Sequence, residues 1–239
     1  MRIVIVSDIH GNFDAISALR ENYDELWVLG DLANYGPEPE PVVEFVKSKA
    51  AIVVRGNHDH SIGFNEDPRC SSRFREMAEA TRRYTDSVLK FGHKHFLRSL
   101  PLYVETRRGE TRFYLCHAIP SDPLFGYCEA ESPRWAEEVE SVTADVILVG
   151  HTHVPAMRTI GSTTIVNPGS LGQPKTGSPE GRYAVWEDGE IELKSFPYAV
   201  EAAVSKIQAL PIEGALRDEL STILRTGQIP PVKSLREKK

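Results

Sequence analysis

Ile3-Val4-Ile5-Val6-Ser7-Asp8-Ile9-His10 opens the chain and sets its architecture. Four consecutive β-branched residues read as a buried strand, and the run stops on Ser7 and Asp8. Asn12 can cap a following helix to Asn22, with Ile16, Leu19 and Tyr23 at helical spacing. Leu26 to Leu29 is a second strand, closed by Gly30-Asp31. Pro37, Pro39 and Pro41 mark a loop entering a helix with Val42, Val43, Phe45 and Val46, and Ala51 to Val54 is a third strand. Strands alternating with helices predict a parallel, layered sheet.

Further along, the rhythm changes. Residues 64–97 are rich in Arg, Glu, Ala and Phe and predict one or two helices inserted as a cap over a site. Tyr103 to Thr106 with Arg112 to His117 reads as a hairpin. So do Met157 to Ile160 with Thr163 to Val166, and Tyr183 to Glu187 with Ile191 to Phe196 across Asp188-Gly189. Ser132 to Ser141 predicts a short helix, and Val146 to Val149 another buried strand. The expected fold is α/β (α+β): a four-layer sandwich of two mixed β-sheets flanked by helices. The expected organisation is a domain over 1–197 with its insert, then a helical extension and tail over 198–239. The tail is expected from Pro230 onward as a mobile basic end.

The 239 residues are 41% hydrophobic and 26% charged, an ordinary globular balance. A net charge of -6 argues against binding long nucleic acids. Cys70, Cys116 and Cys128 show no C-x-x-C spacing and read as reduced thiols, which predicts a cytoplasmic location. The opening apolar run is too short for a signal-peptide core, and no stretch approaches the ~20 apolar residues of a membrane helix.

Five polar blocks follow apolar strands: Asp8-Ile9-His10, Gly30-Asp31, Gly56-Asn57-His58-Asp59, Cys116-His117 and Gly150-His151-Thr152-His153. Singly, each has an ordinary reading as a loop, a turn or a buried histidine. Together, at strand ends, they predict one site at one edge of the sheets. Carboxylate and imidazole donors suit Mn, Fe, Zn, Co or Ni. Six such donors plus the Asn57 carbonyl are too many for one ion with an open position, so two ions sharing a carboxylate are expected. His60, His93 and His95 read as ordinary helix or surface residues, and Ser170 as part of a turn.

In these blocks the chain closely resembles the calcineurin-like metallophosphoesterase superfamily, whose signature runs Asp-x-His, Gly-Asp, Gly-Asn-His-Asp/Glu, His and Gly-His-x-His. The likeness extends to Asn167-Pro168-Gly169-Ser170, a turn of the small bacterial members. It implies two divalent metal ions, Mn2+ first, with Fe, Zn, Ni or Co as alternatives. Asp8, His10 and His153 would hold one, Asn57, His117 and His151 the other, and Asp31 would bridge them. His58 would be the general acid and Asp59 would orient or charge it. A bridging hydroxide would attack phosphorus, and the loaded site would keep about one excess positive charge. Family protein phosphatases carry an Asp-Arg pair after the second block. Here the block reads Gly30-Asp31-Leu32-Ala33-Asn34-Tyr35-Gly36, without an Arg. Asn34 is expected to contact phosphate in its place, and Tyr35 reads either as a packed loop aromatic or as a residue that stacks on a nucleobase. The implied substrates are small phosphodiesters or nucleotides. The alternatives are a phosphomonoesterase, including a protein phosphatase, and a non-catalytic scaffold such as the retromer-coat subunit of this fold.

Overall fold

A computed structural model describes residues 1–231. The basic end expected from Pro230 therefore falls largely outside the described residues. The elements, in chain order, are β1 (Arg2–Val6), α1 (Phe13–Ala18), β2 (Glu25–Val28), α2 (Pro39–Lys49), β3 (Ala50–Val53), α3 (Asn57–Phe64), α4 (Arg75–Val88), α5 (Phe91–Ser99), β4 (Tyr103–Arg108), β5 (Thr111–Cys116), α6 (Trp135–Glu140), β6 (Val146–Leu148), β7 (Ala156–Ile160), β8 (Thr163–Asn167), β9 (Gly181–Glu187), β10 (Glu190–Phe196), α7 (Val200–Gln208) and α8 (Gly214–Thr226).

The strands form two five-stranded sheets, ordered β10-β9-β1-β2-β3 and β4-β5-β6-β8-β7. β1, β2 and β3 pair in parallel, and β9 and β10 join antiparallel. In the second sheet β5, β6 and β8 are parallel, with β4 and β7 antiparallel at the edges. Both sheets are mixed, as the early parallel strands and later hairpins predicted.

The alternation of β1 explains the layering. Ile3 and Ile5 point between the sheets, where they meet Trp27, Phe113, Leu115, Leu148, Val166 and Trp186. Phe113 lies edge-on to both Trp27 and Trp186, at ring-centroid distances of 5.0 and 5.4 Å. Val4 and Val6 point the other way, into a core built with α1, α2 and α5. All four are fully buried, at about 1.5–3 kcal/mol of stabilisation per side chain. Both faces of the strand are covered, so its sequence is continuously apolar. The second sheet packs its outer face, with Tyr114, Ile147 and Ile165, on Trp135 of α6.

Two elements differ from the expected ones. α1 ends at Ala18 because Leu19 leaves helical geometry (φ -63°, ψ 117°). Leu19 and Tyr23 still reach the core from irregular chain. So short a helix is held by its burial and by Asn12, whose side-chain oxygen accepts from Ala15 N–H at 3.1 Å. The second difference is α3, which begins at Asn57, directly on the third polar block. The insert itself supplies α4 and α5. α4 does not stand alone: its Met77, Ala78 and Ala80 share one cluster with α7, α8 and Tyr35.

Candidate metal centre

Every polar block lies past the carboxyl end of a parallel strand: Asp8 after β1, Asp31 after β2, Asn57 after β3, His117 after β5, His151 and His153 after β6. Parallel pairing points those ends the same way, and backbone bonds then lace the loops together. Asp8 N–H donates to Gly30 O (3.0 Å), His10 N–H to Asp31 O (2.9 Å) and Gly150 N–H to His117 O (2.8 Å). Ser170 Oγ donates to Asp8 O at 2.8 Å, so this serine braces the Asp8 loop.

The loops are strained. Among the described residues, ten non-glycine positions have positive φ, and seven are Asp8, His10, Asp31, Asn34, Tyr35, His151 and His153. Each costs roughly 1–2 kcal/mol relative to ordinary backbone, and such concentration in one place marks a functional site. Glycines make the close approach possible. A Cβ on Gly56 would lie 2.0 Å from Asp31 Oδ1, and one on Gly150 would lie 1.9 Å from Ser7 Oγ and 2.9 Å from Asp8 Oδ2.

The seven expected ligands converge as two adjoining sets. In one, His10 Nε2 and His153 Nε2 lie 3.2 Å apart. Asp8 Oδ1 is 3.3 Å from His153 Nε2 and 3.7 Å from His10 Nε2. In the other, Asn57 Oδ1 is 3.1 Å from His117 Nε2 and 3.2 Å from His151 Nδ1. Asp31 Oδ2 stands between them, 3.7 Å from His10 Nε2 and 3.4 Å from His117 Nε2.

The donor chemistry fits cations. His10 Nδ1 donates to Ala33 O (3.2 Å), His117 Nδ1 to Leu29 O (2.7 Å) and His153 Nδ1 to Gln173 O (2.7 Å). Those outer bonds fix the tautomers and leave the Nε2 lone pairs facing inward, as in ligating histidines. Two facing lone pairs do not bond each other. Asp8 Oδ1 is buried and accepts no hydrogen bond among the described residues. A cation satisfies all of them at once. Burial pulls His117 down, but Asp31 and Asp8 outweigh it and leave its pKa up at about 9. Burial holds His10 well below its usual range.

His58 sits in the first turn of α3 beside the cluster. Its backbone N–H donates to Asp31 Oδ1 at 2.9 Å. Its Nδ1 accepts from Asn34 Nδ2 at 2.7 Å, which places the ring proton on Nε2. Burial lowers its pKa to about 4.

Three expected roles are corrected by placement. Asp59 does not touch the His58 ring. Its carboxylate accepts from the backbone N–H groups of Asp31 (2.8 Å), Leu32 (2.9 Å), Ala33 (3.3 Å) and Gly56 (3.1 Å), latching the second block to the third. Asn34 is fully buried, its amide nitrogen bridging His58 and Ala78 O of α4 (3.3 Å), which gives it protein partners where a phosphate contact was expected. Tyr35 is 4% exposed, its ring 4.9 Å from His10 and 4.8 Å from His58, with no face open for a base. His60 and His93 stand apart, against Glu66 and Glu44, and His95 stacks on Phe91.

Other residues face the site without having been expected. A cavity of about 380 Å³ adjoins the cluster, walled by Asp31, Asn57, His58 and His151 together with Arg69, Phe74, Phe125 and Tyr127. Tyr127 is 60% exposed. No window of sequence around Arg69 or Tyr127 carries a signal, because the residues come from separate loops.

Comparison with known proteins agrees with this geometry. The family model described as the calcineurin-like phosphoesterase superfamily domain matches residues 1–188. A symmetrical bis(5'-nucleosyl)-tetraphosphatase of Psychromonas ingrahamii is 33% identical over 155 residues, 59% of this chain and 51% of that protein, so the match spans about half the relative's length. The phosphodiesterase YfcE of Escherichia coli is 27% identical over 195 residues, 75% of this chain and 84% of that protein. The crystal structure of a metallophosphoesterase from Sphaerobacter thermophilus superposes with a TM-score of 0.79 at 27% identity, over 92% of this chain and 99% of that one.

Proposed function

The chain belongs to the calcineurin-like phosphoesterase superfamily, and from that premise we propose that it hydrolyses small phosphodiesters or nucleotide-type substrates with two divalent metals. The observation that carries this reading is the pair of adjoining buried donor groups, Asp8–His10–His153 and Asp8–Asp31–His117, with Asp31 Oδ2 within 3.7 Å of His10 Nε2 and 3.4 Å of His117 Nε2. Asp8, His10 and His153 hold one ion; Asn57, His117 and His151 hold the other; Asp31 serves both. Bound there, the ions supply Lewis acidity and a nucleophile drawn from water at neutral pH.

The rest falls to the protein. The carbonyls of Ala33, Leu29 and Gln173 keep the three imidazoles in their ligating tautomers. His58, held at Nδ1 by the Asn34 amide, would give Nε2–H to the departing oxygen as general acid when the ring is protonated at both nitrogens and the amide turns its unpartnered Oδ1 to Nδ1. Burial disfavours the charged ring in the metal-free protein, so the donating form depends on the negative charge that develops on the leaving oxygen. The leaving oxygen needs that proton most when it belongs to an alcohol or sugar, as in a diester. The relatives named a phosphodiesterase and a dinucleoside tetraphosphatase support the substrate class. No helix among the described residues is long and apolar enough to cross a membrane.

The test is direct. Mn2+-loaded protein is assayed on chromogenic diester and monoester substrates, beside a His58→Ala variant. We expect diester turnover in the first and a loss of roughly 10²–10⁴-fold in the second, with metal content unchanged. Equal loss of metal and activity would place His58 among the ligands, and absence of turnover on both substrates would favour the scaffold reading.

A further inference from the structure

The cavity beside the cluster carries more positive charge than one phosphodiester needs. Arg69 lies on the loop before α4, in left-handed backbone (φ 53°) pinned by its N–H to Asp67 Oδ1 at 2.7 Å. Its guanidinium lies 4.3 Å from the centroid of Phe125, and both residues wall the cavity with His58 and Asp31. Stacking of this kind holds a guanidinium in place with about 0.5–2 kcal/mol while leaving its N–H donors free. Lys175 arrives from the other direction, on the loop between β8 and β9. Its Nζ is 4.7 Å from the centroid of Phe74, a further wall of the same cavity. It lies close enough to Asp8 and Asp31 to feel both charges, while burial brings its pKa down to about 8. Neither cation has a carboxylate partner among the described residues, although the chain as a whole carries -6. Arg69 walls the cavity and Lys175 stands against its Phe74 wall; the two come from unrelated loops, neither has an ion-pair partner among the described residues, and together they are set for an anion.

That anion is distinct from the one on the metals. Two ions and their ligands already balance the charge of a single diester. Arg69 is exposed and walls the cavity together with Asp31, Asn57 and His151. A second phosphate attached to the scissile one would extend from the cluster toward Arg69. We propose that Arg69 and Lys175 form a second anion seat, so that the preferred substrates carry another phosphate directly beside the scissile one, as nucleoside polyphosphates do. This rests on the reading of the cluster as the seat of the phosphoryl group. The competing arrangement, in which both cations grip the scissile phosphate itself, predicts a different result below.

Binding separates these without relying on turnover. Methylphosphonate carries one phosphonate and methylenediphosphonate two, and neither has a phosphoester bond to cleave. Each is titrated calorimetrically into Mn2+-loaded protein, with metal matched in cell and syringe. We expect the wild type to bind the diphosphonate at least 10-fold more tightly. Arg69→Met and Lys175→Met should each reduce that preference several-fold, and the double variant should abolish it. Methylphosphonate affinity should stay within about 2-fold, and Lys175→Arg should retain the preference. Equal affinity for the two probes in the wild type overturns the proposal. So does an equal loss for both probes in the variants, which is the outcome if the cations grip the scissile phosphate. Should diphosphonate preference persist in a protein that cleaves no ester, the hydrolase reading falls and the anion seat stands.

Discussion

Asn34 Nδ2 lies 2.7 Å from His58 Nδ1 and, at 3.3 Å, from Ala78 O in α4. The inserted helix is thereby wired to the ring that we assign as general acid. Removing the amide frees the ring to turn and to shift its proton to Nδ1. Asn34→Leu, close in volume, should lower kcat by roughly 10–100-fold, with KM and metal content little changed. Steady-state kinetics beside metal analysis checks it; a rise in KM alone would instead give Asn34 a substrate contact.

Asp59 predicts loss of stability rather than loss of acid strength. Four backbone N–H groups depend on its carboxylate. Asp59→Ala strands them in a buried loop and should cost about 2–4 kcal/mol. For a chain of this size that lowers Tm by roughly 5–15 °C. The acid limb of the kcat–pH profile should not move. A shifted limb at unchanged Tm would restore the expected partnership with His58.

That misplacement shows where sequence stops being legible. Asp8, Asp31, Asn57, His117, His151 and His153 were readable because each follows an apolar run, and parallel strands deliver their ends to one edge. Asp59 follows His58 in sequence, but both lie in the first turn of α3. Neighbours on a helix point about 100° apart, so Asp59 faces the Asp31 loop while His58 faces the cluster. Tyr35 left two readings open, packed in its loop or free to stack on a base, and only the fold decides: α4, α7 and α8 close over it, a contact between segments more than 40 residues apart. Arg69 and Lys175 are invisible locally for the same reason: only the fold brings them to one cavity.

Gly150 offers a steric test of the metal centre. A methyl there collides with Ser7 Oγ and Asp8 Oδ2, and the strand ends cannot separate without losing the Gly150–His117 backbone bond. Gly150→Ala should therefore weaken metal binding at least 10-fold while the sandwich core, which is remote from it, stays folded. Near-ultraviolet circular dichroism with metal titration checks both halves. Unaltered metal affinity would mean that the loops are looser than their packing implies.

Metal uptake should also release protons, and the sign follows from His117. Its pKa stands near 9 because Asp31 and Asp8 outweigh burial, so at pH 7.5 the metal-free ring carries a proton. A ligating imidazole cannot keep it. His10, held well below its usual range by burial, is already neutral and releases none. Filling both sets at pH 7.5 should thus expel about one proton from His117 beyond any released in forming the bridging hydroxide, and the His117 share should fall toward zero above pH 10. Affinity at the Asn57–His117–His151 set should weaken by up to tenfold per pH unit below about 9. Calorimetry in two buffers of different ionisation enthalpy counts the protons directly. An equal proton release from His117→Gln protein at saturating metal would mean that His117 enters the reaction neutral and that the two carboxylates do not govern it.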